Sequence, residues 1–420
     1  MQIPFKKANI LLPKNADMHK WSVVACDQYT SEPKYWEEVE NIVGDAPSTL
    51  KITLPEIYLE KENVSDRITK INEEMDRLLN EDFFKTLTDS LIYLERTCKD
   101  GKVRKGIVGM VDLEDYSYEK GSQSLIRATE GTVLERIPPR VRVRENAKLE
   151  LPHVMLLIDD EKKEIIEGLT DKVTSDDVVY DFDLMQNGGH IKGYKIPESL
   201  VEGVFAGLEE LADKDNFEAK YNVHDKGVLL FSVGDGNHSL ATAKACYENL
   251  KKVLPKEEYE NHPARYALVE VVNLHSDALE FEPIHRVVFD VEPAKMIEEF
   301  EKYYDVSRTE GEGQRVEYVY EGRSEVLYIK NPKSNLAVGS LQMFIDEYIK
   351  NHGGKVDYIH GDDVTRELGS KPGNIGFLLP NMKKTDLFKT VILDGALPRK
   401  TFSMGHSYDK RYYLEARKIK

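Results

Sequence analysis

Cysteine, tryptophan and net positive charge are all scarce in this chain. Its three cysteines, Cys26, Cys98 and Cys246, stand far apart in 420 residues, with no paired spacing for zinc or a redox couple. A disulfide framework is excluded, and the usage fits a reducing, cytoplasmic compartment. Lys and Arg number 58 against 75 Asp and Glu, for a net charge of −17. A surface that acidic repels polyanions, so neither nucleic acid nor an anionic membrane is an expected partner. No apolar run approaches the length of a membrane span. The start, MQIPFKKANILLPKNADMHKW, has too short an apolar core and too many charges for a signal peptide. Also missing are a GxxxxGK(S/T) phosphate loop, a GxGxxG after a strand, HExxH, GxSxG and a kinase HRD set. A chain that handles nucleotides without these does so by a less common design.

What is present is a mixture of strands and helices without a repeat. Trp36 to Val43 reads as a helix after the start Thr30-Ser31-Glu32-Pro33, and Ser65 to Asn80 is clearly amphipathic. Leu91 to Leu113 reads as a hairpin turning at Asp100-Gly101, and a second hairpin from Val178 turns around Asn187-Gly188-Gly189. A strand at His153, a helix over Glu198 to Ala212, a strand from Arg265 and a third hairpin at VEYVYEGRSEVLYI follow. The last ninety or so residues alternate helix and strand. Hairpins outnumber strand–helix–strand crossovers, which predicts an α+β fold with mixed sheets and flanking helices. No Pro- or Gly-rich linker marks a boundary. The expected regions are 1–120, 121–300 with the candidate site, and 301–420, or one integrated unit.

The chemistry concentrates in FSVGDGNHSL, Phe231 to Leu240. An apolar strand from Gly227 to Val233 runs into Gly234 to His238, and a helix is expected from Ser239 as N-cap. Such a strand-to-helix turn aims backbone N–H groups and a helix dipole at one spot, which suits an anion. It aims Asp235, Asn237 and His238 there too. Asp, Asn and Ser also serve plain turn geometry, but a histidine at a helix start opposes the dipole and favours a functional reading.

Other stretches are less specific. SLIRATEGTVLERIPPRVRVRE places Arg140, Arg142 and Arg144 in alternation, so on a strand they share a face that clamps an anion or simply meets water. Glu130 precedes them and is a base, a metal ligand or a structural ion-pair partner. FEPIHRVVFD holds His285 and Arg286 between apolar residues, as at the rim of a sheet, though alone such a histidine is more often a satisfied structural one. GALPRKTFSMG sets Arg399 and Lys400 in a basic loop. SVVACDQYTSE ends an apolar run in Asp27, Tyr29 and Thr30, without distinctive spacing.

In order, these stretches resemble a family of prokaryotic proteins, domain-of-unknown-function family one thousand and fifteen. Its D-G-H-H-R turn is similar to Asp235-Gly236-Asn237-His238-Ser239. Its R-P-H-E-x-T is similar to Arg127-Ala128-Thr129-Glu130-Gly131-Thr132, and its P-x-H-R to Pro283-Ile284-His285-Arg286. Its terminal M-P-x-K-S-T-x-F is similar to Leu397-Pro398-Arg399-Lys400-Thr401-Phe402, and Gly109 to Tyr116 also fits. The resemblance implies a ParB/sulfiredoxin-like portion and a kinship with a free-serine kinase. It further implies Glu130 as the acid and Asp235 to His238 as the phosphate turn. Asn237 replaces a histidine and Ser239 an arginine, which removes a bidentate phosphate contact.

The implied activity is a Mg²⁺-dependent small-molecule phosphotransferase acting on serine or phosphoserine, with ATP or ADP as co-substrate. Glu130, Asp235 and His238 are the expected catalytic residues, with Asp235 also holding the metal. Gly236, Asn237, Ser239, Arg127, His285, Arg286 and Lys400 are the expected phosphate or nucleotide ligands. The alternative is a non-catalytic nucleotide- or small-ligand-binding regulator.

Overall fold

Turn chemistry organises the first hairpins. A computed structural model describes residues 2–30 and 32–420. Ile92–Thr97 and Val103–Asp112 pair antiparallel across Asp100-Gly101, where Gly101 has φ +82°. Val178–Asp183 and His190–Lys195 pair across Asn187-Gly188-Gly189. Gly189 has φ +83°, and a Cβ there would lie 2.0 Å from the Thr97 carbonyl oxygen, so only glycine fits. Ser31, in the expected start of the Pro33–Val43 helix, lies outside the described residues.

The chain folds as two compact units, neither continuous in sequence. The first holds the chain up to Ala128, Thr132–Leu279 and His406–Lys420; the second holds Thr129–Gly131 and Glu280–Gly405. Both are mixed helix-and-sheet structures, so the fold is α+β.

The first unit is built on a ten-stranded mixed sheet. Its order is Val178–Asp183, His190–Lys195, Ile92–Thr97, Val103–Asp112, Tyr266–Asn273, Met155–Ile158, Phe231–Asp235, Ile126–Ala128 and Tyr116–Ser117, with Phe5–Lys6 joined to Val103–Asp112. Met155–Ile158 runs parallel to Tyr266–Asn273 but antiparallel to Phe231–Asp235. Strand alternation divides the core between two faces. Tyr93, Ile107 and Val269 pack against Val201, Val204, Leu208 and Leu240 of the Glu198–Leu211 and Asn237–Lys251 helices. Ile92, Val108 and Leu268 pack with Trp36 and Val39 of the Pro33–Val43 helix and with Tyr412 and Leu414 of the C-terminal segment.

The second unit has a seven-stranded antiparallel sheet. Val306–Ser307, Arg323–Ile329, Gln314–Tyr320, Ile375–Leu378, Phe281–Phe289 and Lys355–His360 lie in that order, and Phe402–Met404 extends Phe281–Phe289. The Pro293–Tyr303, Ala337–His352, Asp362–Gly369 and Lys384–Asp394 helices accompany it. No helix among the described residues is long and apolar enough to cross a membrane.

Two local expectations are corrected. Arg140, Arg142 and Arg144 lie on a helix, Ile137–Arg144, not on a strand. Pro138-Pro139 occupy its first turn, where the ring sets a helical φ and no amide donor is needed. Their side chains diverge: Arg140 pairs with Glu56 at 2.5 Å, Arg142 bonds Ser65 at 3.0 Å and Arg144 bonds Glu150 at 2.5 Å. They form no common anion clamp. The other correction is the helix after the turn, which begins at Asn237 with Gly236 as its cap, two residues before Ser239.

Candidate functional site

The turn is made by one glycine. The strand Phe231–Asp235 ends, Gly236 takes φ +82°, and Asn237 opens a helix of 15 residues. A Cβ on Gly236 would meet Val154 Cα at 3.0 Å and the His153 ring at 3.2 Å. The dihedral favours glycine, and the close approach leaves a Cβ little room. The first amide used inside the helix is that of Leu240, which donates to the Gly236 carbonyl at 3.0 Å. The N–H groups before it project from the helix end, as in any α-helix. Asp235, Asn237, His238 and Ser239 are half-buried around them, while Gly236 is buried.

Two further side chains of the first unit reach this turn, His153 and Lys410, and Asp27 and Tyr413 stand behind them. His153 lies against Gly236, and its Nε2 is 3.9 Å from Asp27 Oδ2. The other ring nitrogen, Nδ1, shares a 2.9 Å hydrogen bond with the Tyr413 hydroxyl, which accepts the Cys26 N–H at 3.2 Å. Lys410 Nζ lies 3.4 Å from Asp235 Oδ2, and Asp235 Oδ1 accepts the Gly236 N–H at 3.0 Å. Burial acts to raise the Asp27 carboxyl. The His153 ring, the Gln28 amide and the Lys410 ammonium outweigh it and hold that carboxyl below the usual range.

Main-chain pairing explains the convergence. The Ala25 N–H donates to the Arg411 carbonyl at 2.9 Å and the Tyr413 N–H to the Val23 carbonyl at 2.7 Å. The C-terminal segment thus runs beside the Val23–Ala25 stretch and brings Lys410 to the end that carries Asp27. Buried arginines fix it there. Arg96 donates to the carbonyls of Lys410 and Tyr408, and Arg104 to that of Asp409 at 2.6 Å. Arg411 is bound by Glu270 and Glu415, whose other oxygen accepts the Tyr180 hydroxyl at 2.7 Å.

Glu130 belongs to the second unit. The 129–131 segment is held by the Leu397 N–H, which donates to the Thr129 carbonyl at 2.6 Å. Burial raises the Glu130 carboxyl above the ordinary glutamate value, even though the Lys400 charge, the Lys400 and Thr401 N–H groups and Arg286 all favour its ionised form. Lys400 has φ +57°. Arg286 is fully buried, and donates to the carbonyls of Ile284, Lys400 and Arg399 and to Gln342. The buried His285 uses both nitrogens, Nε2 with Asp362 at 2.9 Å and Nδ1 accepting the Leu379 N–H at 3.1 Å. Both residues lie inside the Phe281–Phe289 strand, not at a sheet rim.

Arg127 is likewise committed. It is buried and donates to the carbonyls of Ser124, Gly227 and Val228. Arg127, His285 and Arg286 are therefore spent on the protein itself, whereas Lys400 sits beside Glu130. Asp235 does not fit a magnesium site as it stands, since one oxygen accepts an amide and the other faces an ammonium. Among the described residues one group has metal-ligand spacing, Asp159, Glu161 and His275. Lys220 reaches the first two at 3.0 and 3.5 Å and neutralises one of their two charges.

Sequence reasoning missed His153, Tyr413 and Lys410, and passed over Asp27. Only Asp27 carried a signal, its place at the end of an apolar run.

Comparison with known proteins adds the following. No curated protein matches the sequence significantly. Among solved structures, a free serine kinase in complex with AMP is similar at TM-score 0.37 and 11% identity, over 74% of this chain and 91% of that one. A mutant free serine kinase in complex with ADP is similar at TM-score 0.39 and 11% identity, over 76% and 93%. A conserved hypothetical protein from Pyrococcus furiosus is similar at TM-score 0.34 and 11% identity, over 74% and 94%. Likeness this low carries no chemistry from those proteins to this chain. The family model described as "Protein of unknown function (DUF1015)" matches residues 3–348, and the chain belongs to that family.

Proposed function

We propose that the chain is a phosphotransferase that moves phosphate between a nucleotide, ATP or ADP, and a serine-like alcohol or its phosphate ester. The observation that carries the reading is the turn at Gly236, a left-handed glycine joining a strand end to a 15-residue helix, with Asp235, Asn237, His238 and Ser239 half-buried around it. Phosphoryl transfer needs positioning and charge neutralisation more than covalent chemistry. In this reading the amides at the start of the helix, Asn237 to Ser239, seat phosphate oxygens and His238 stabilises charge as it develops. Glu130 is assigned as the base that the motif resemblance implies, and burial raises its carboxyl above the ordinary glutamate value. No step is routed through Mg²⁺, because one oxygen of Asp235 accepts the Gly236 amide and the other faces an ammonium.

The test is direct. Purified protein is incubated with serine and ATP labelled in the γ-phosphate, with and without Mg²⁺, and phosphoserine formation is followed. The reverse reaction starts from phosphoserine and ADP. Absence of transfer in both directions, with nucleotide bound, would leave a ligand-binding regulator as the better reading. The Asp235–Lys410 pair favours that second reading, since it equips the turn to hold an anion without a metal.

A further inference from the structure

We propose that Lys410 is the cation that neutralises a phosphate seated on the 235–239 turn. The proposal rests on the phosphate reading of that turn. A phosphate held by amides and one imidazole is under-neutralised, and the arginines that the motifs offer are committed elsewhere. Arg127 and Arg286 donate to main-chain carbonyls. Lys410 does reach the turn, 3.4 Å from Asp235 at the strand end, and its charge also acts on Asp27.

That distance is informative. A charge-assisted hydrogen bond between ammonium and carboxylate closes to about 2.7–2.9 Å, so at 3.4 Å Lys410 is near Asp235 without being locked to it. An ammonium has three donors, and its compact charge can swing from the carboxylate to a phosphate oxygen. The side chain is only 12% exposed, so it is held at the turn and does not sweep through solvent.

The support beneath it is unusual for a surface ion pair. Arg96 and Arg104, both buried, donate to the carbonyls of Tyr408, Asp409 and Lys410, and buried Arg411 is anchored by Glu270 and Glu415. Burying guanidinium groups is costly unless they are paired or hydrogen-bonded. Here that bonding fixes the main chain on both sides of one lysine. Lys410 also lies beyond residues 3–348, the part of the chain that the family model matches. It also stands outside every motif that carries the family resemblance, the last of which ends at Phe402.

The ligand chemistry is a phosphate monoester or the phosphate of a nucleotide. Isothermal titration of the full-length protein with ADP, and separately with O-phosphoserine, distinguishes these sources. Wild type is compared with Lys410→Gln and Lys410→Arg, and the melting temperature of each unliganded protein is recorded. The expected result is at least about tenfold weaker binding in Lys410→Gln, near-wild-type binding in Lys410→Arg, and unchanged unliganded melting. If the Gln variant does not fold, Lys410→Met, which keeps the aliphatic stem, gives the same comparison. Wild-type affinity in Lys410→Gln for both ligands would overturn the proposal while leaving the phosphate reading intact. No binding of either ligand by the wild type would remove both.

Discussion

A single glycine sets the candidate site, and its cost of replacement can be stated. Gly236→Ala forces φ +82° on a residue with a Cβ and drives that Cβ to 3.0 Å from Val154. The expected loss is about 1–3 kcal/mol, read as a lower urea midpoint with an unchanged slope. Arg127 gives a contrasting case. Removing its guanidinium strands the carbonyls of Ser124, Gly227 and Val228, so Arg127→Ala should cost about 2–4 kcal/mol of stability. If Arg127 serves the fold alone, nucleotide affinity per folded molecule stays unchanged. Glu130→Gln tests the assigned base, with turnover falling about a hundred- to ten-thousandfold. Its pH dependence has a definite sign. Burial raises this carboxyl, so the base is protonated and idle at low pH, and the acid limb of kcat/KM should lie above the ordinary glutamate value. At this scale the sequence exposes what is local. Asp235, Gly236 and His238 stand in one short string, whereas Lys410 reaches Asp235 only because the chain returns.

Elements were legible where periodicity and turn residues agreed. The Val64–Asn80 helix and the hairpins at Gly101 and Gly189 form as their patterns require. The 137–144 segment shows how one signal overrides another. Alternating arginines read as a strand, but two prolines at the first turn start a helix. The helix then contributes through Arg144, which with Arg417 embraces the buried Glu150. Burial raises that carboxyl, and the two guanidinium groups outweigh it and hold it below the usual range. Its folded pKa is thus depressed, so its stabilisation is present above the unfolded glutamate value and is lost as pH falls through the folded one. Glu150→Gln should cost about 3–5 kcal/mol at neutral pH, with the gap to wild type closing in acid. Urea denaturation at a series of pH values measures it.

For the whole molecule, discontinuity is what composition could not reveal. The last residues, His406–Lys420, belong to the same unit as the first hundred, and three residues at 129–131 belong with the chain beyond 280. No linker announces such returns: the first is fixed by buried side chains such as Tyr412, Leu414 and Arg411, the second by the Leu397 N–H on the Thr129 carbonyl. The same depressed-carboxylate logic extends to Asp27, Asp159 and Glu270, each held below the usual range against burial by neighbouring cations or hydrogen-bond donors. Melting temperature should therefore change little near neutrality and fall steeply once pH drops below about 4. The central claim, that the Gly236 turn seats a phosphate, is tested most directly by thermal unfolding with ATP, ADP, AMP and phosphoserine, each with and without Mg²⁺. At large excess over its dissociation constant, at least one nucleotide should stabilise the protein by about 3 kcal/mol, a shift of several degrees. Superimposable curves for all four ligands would contradict the claim.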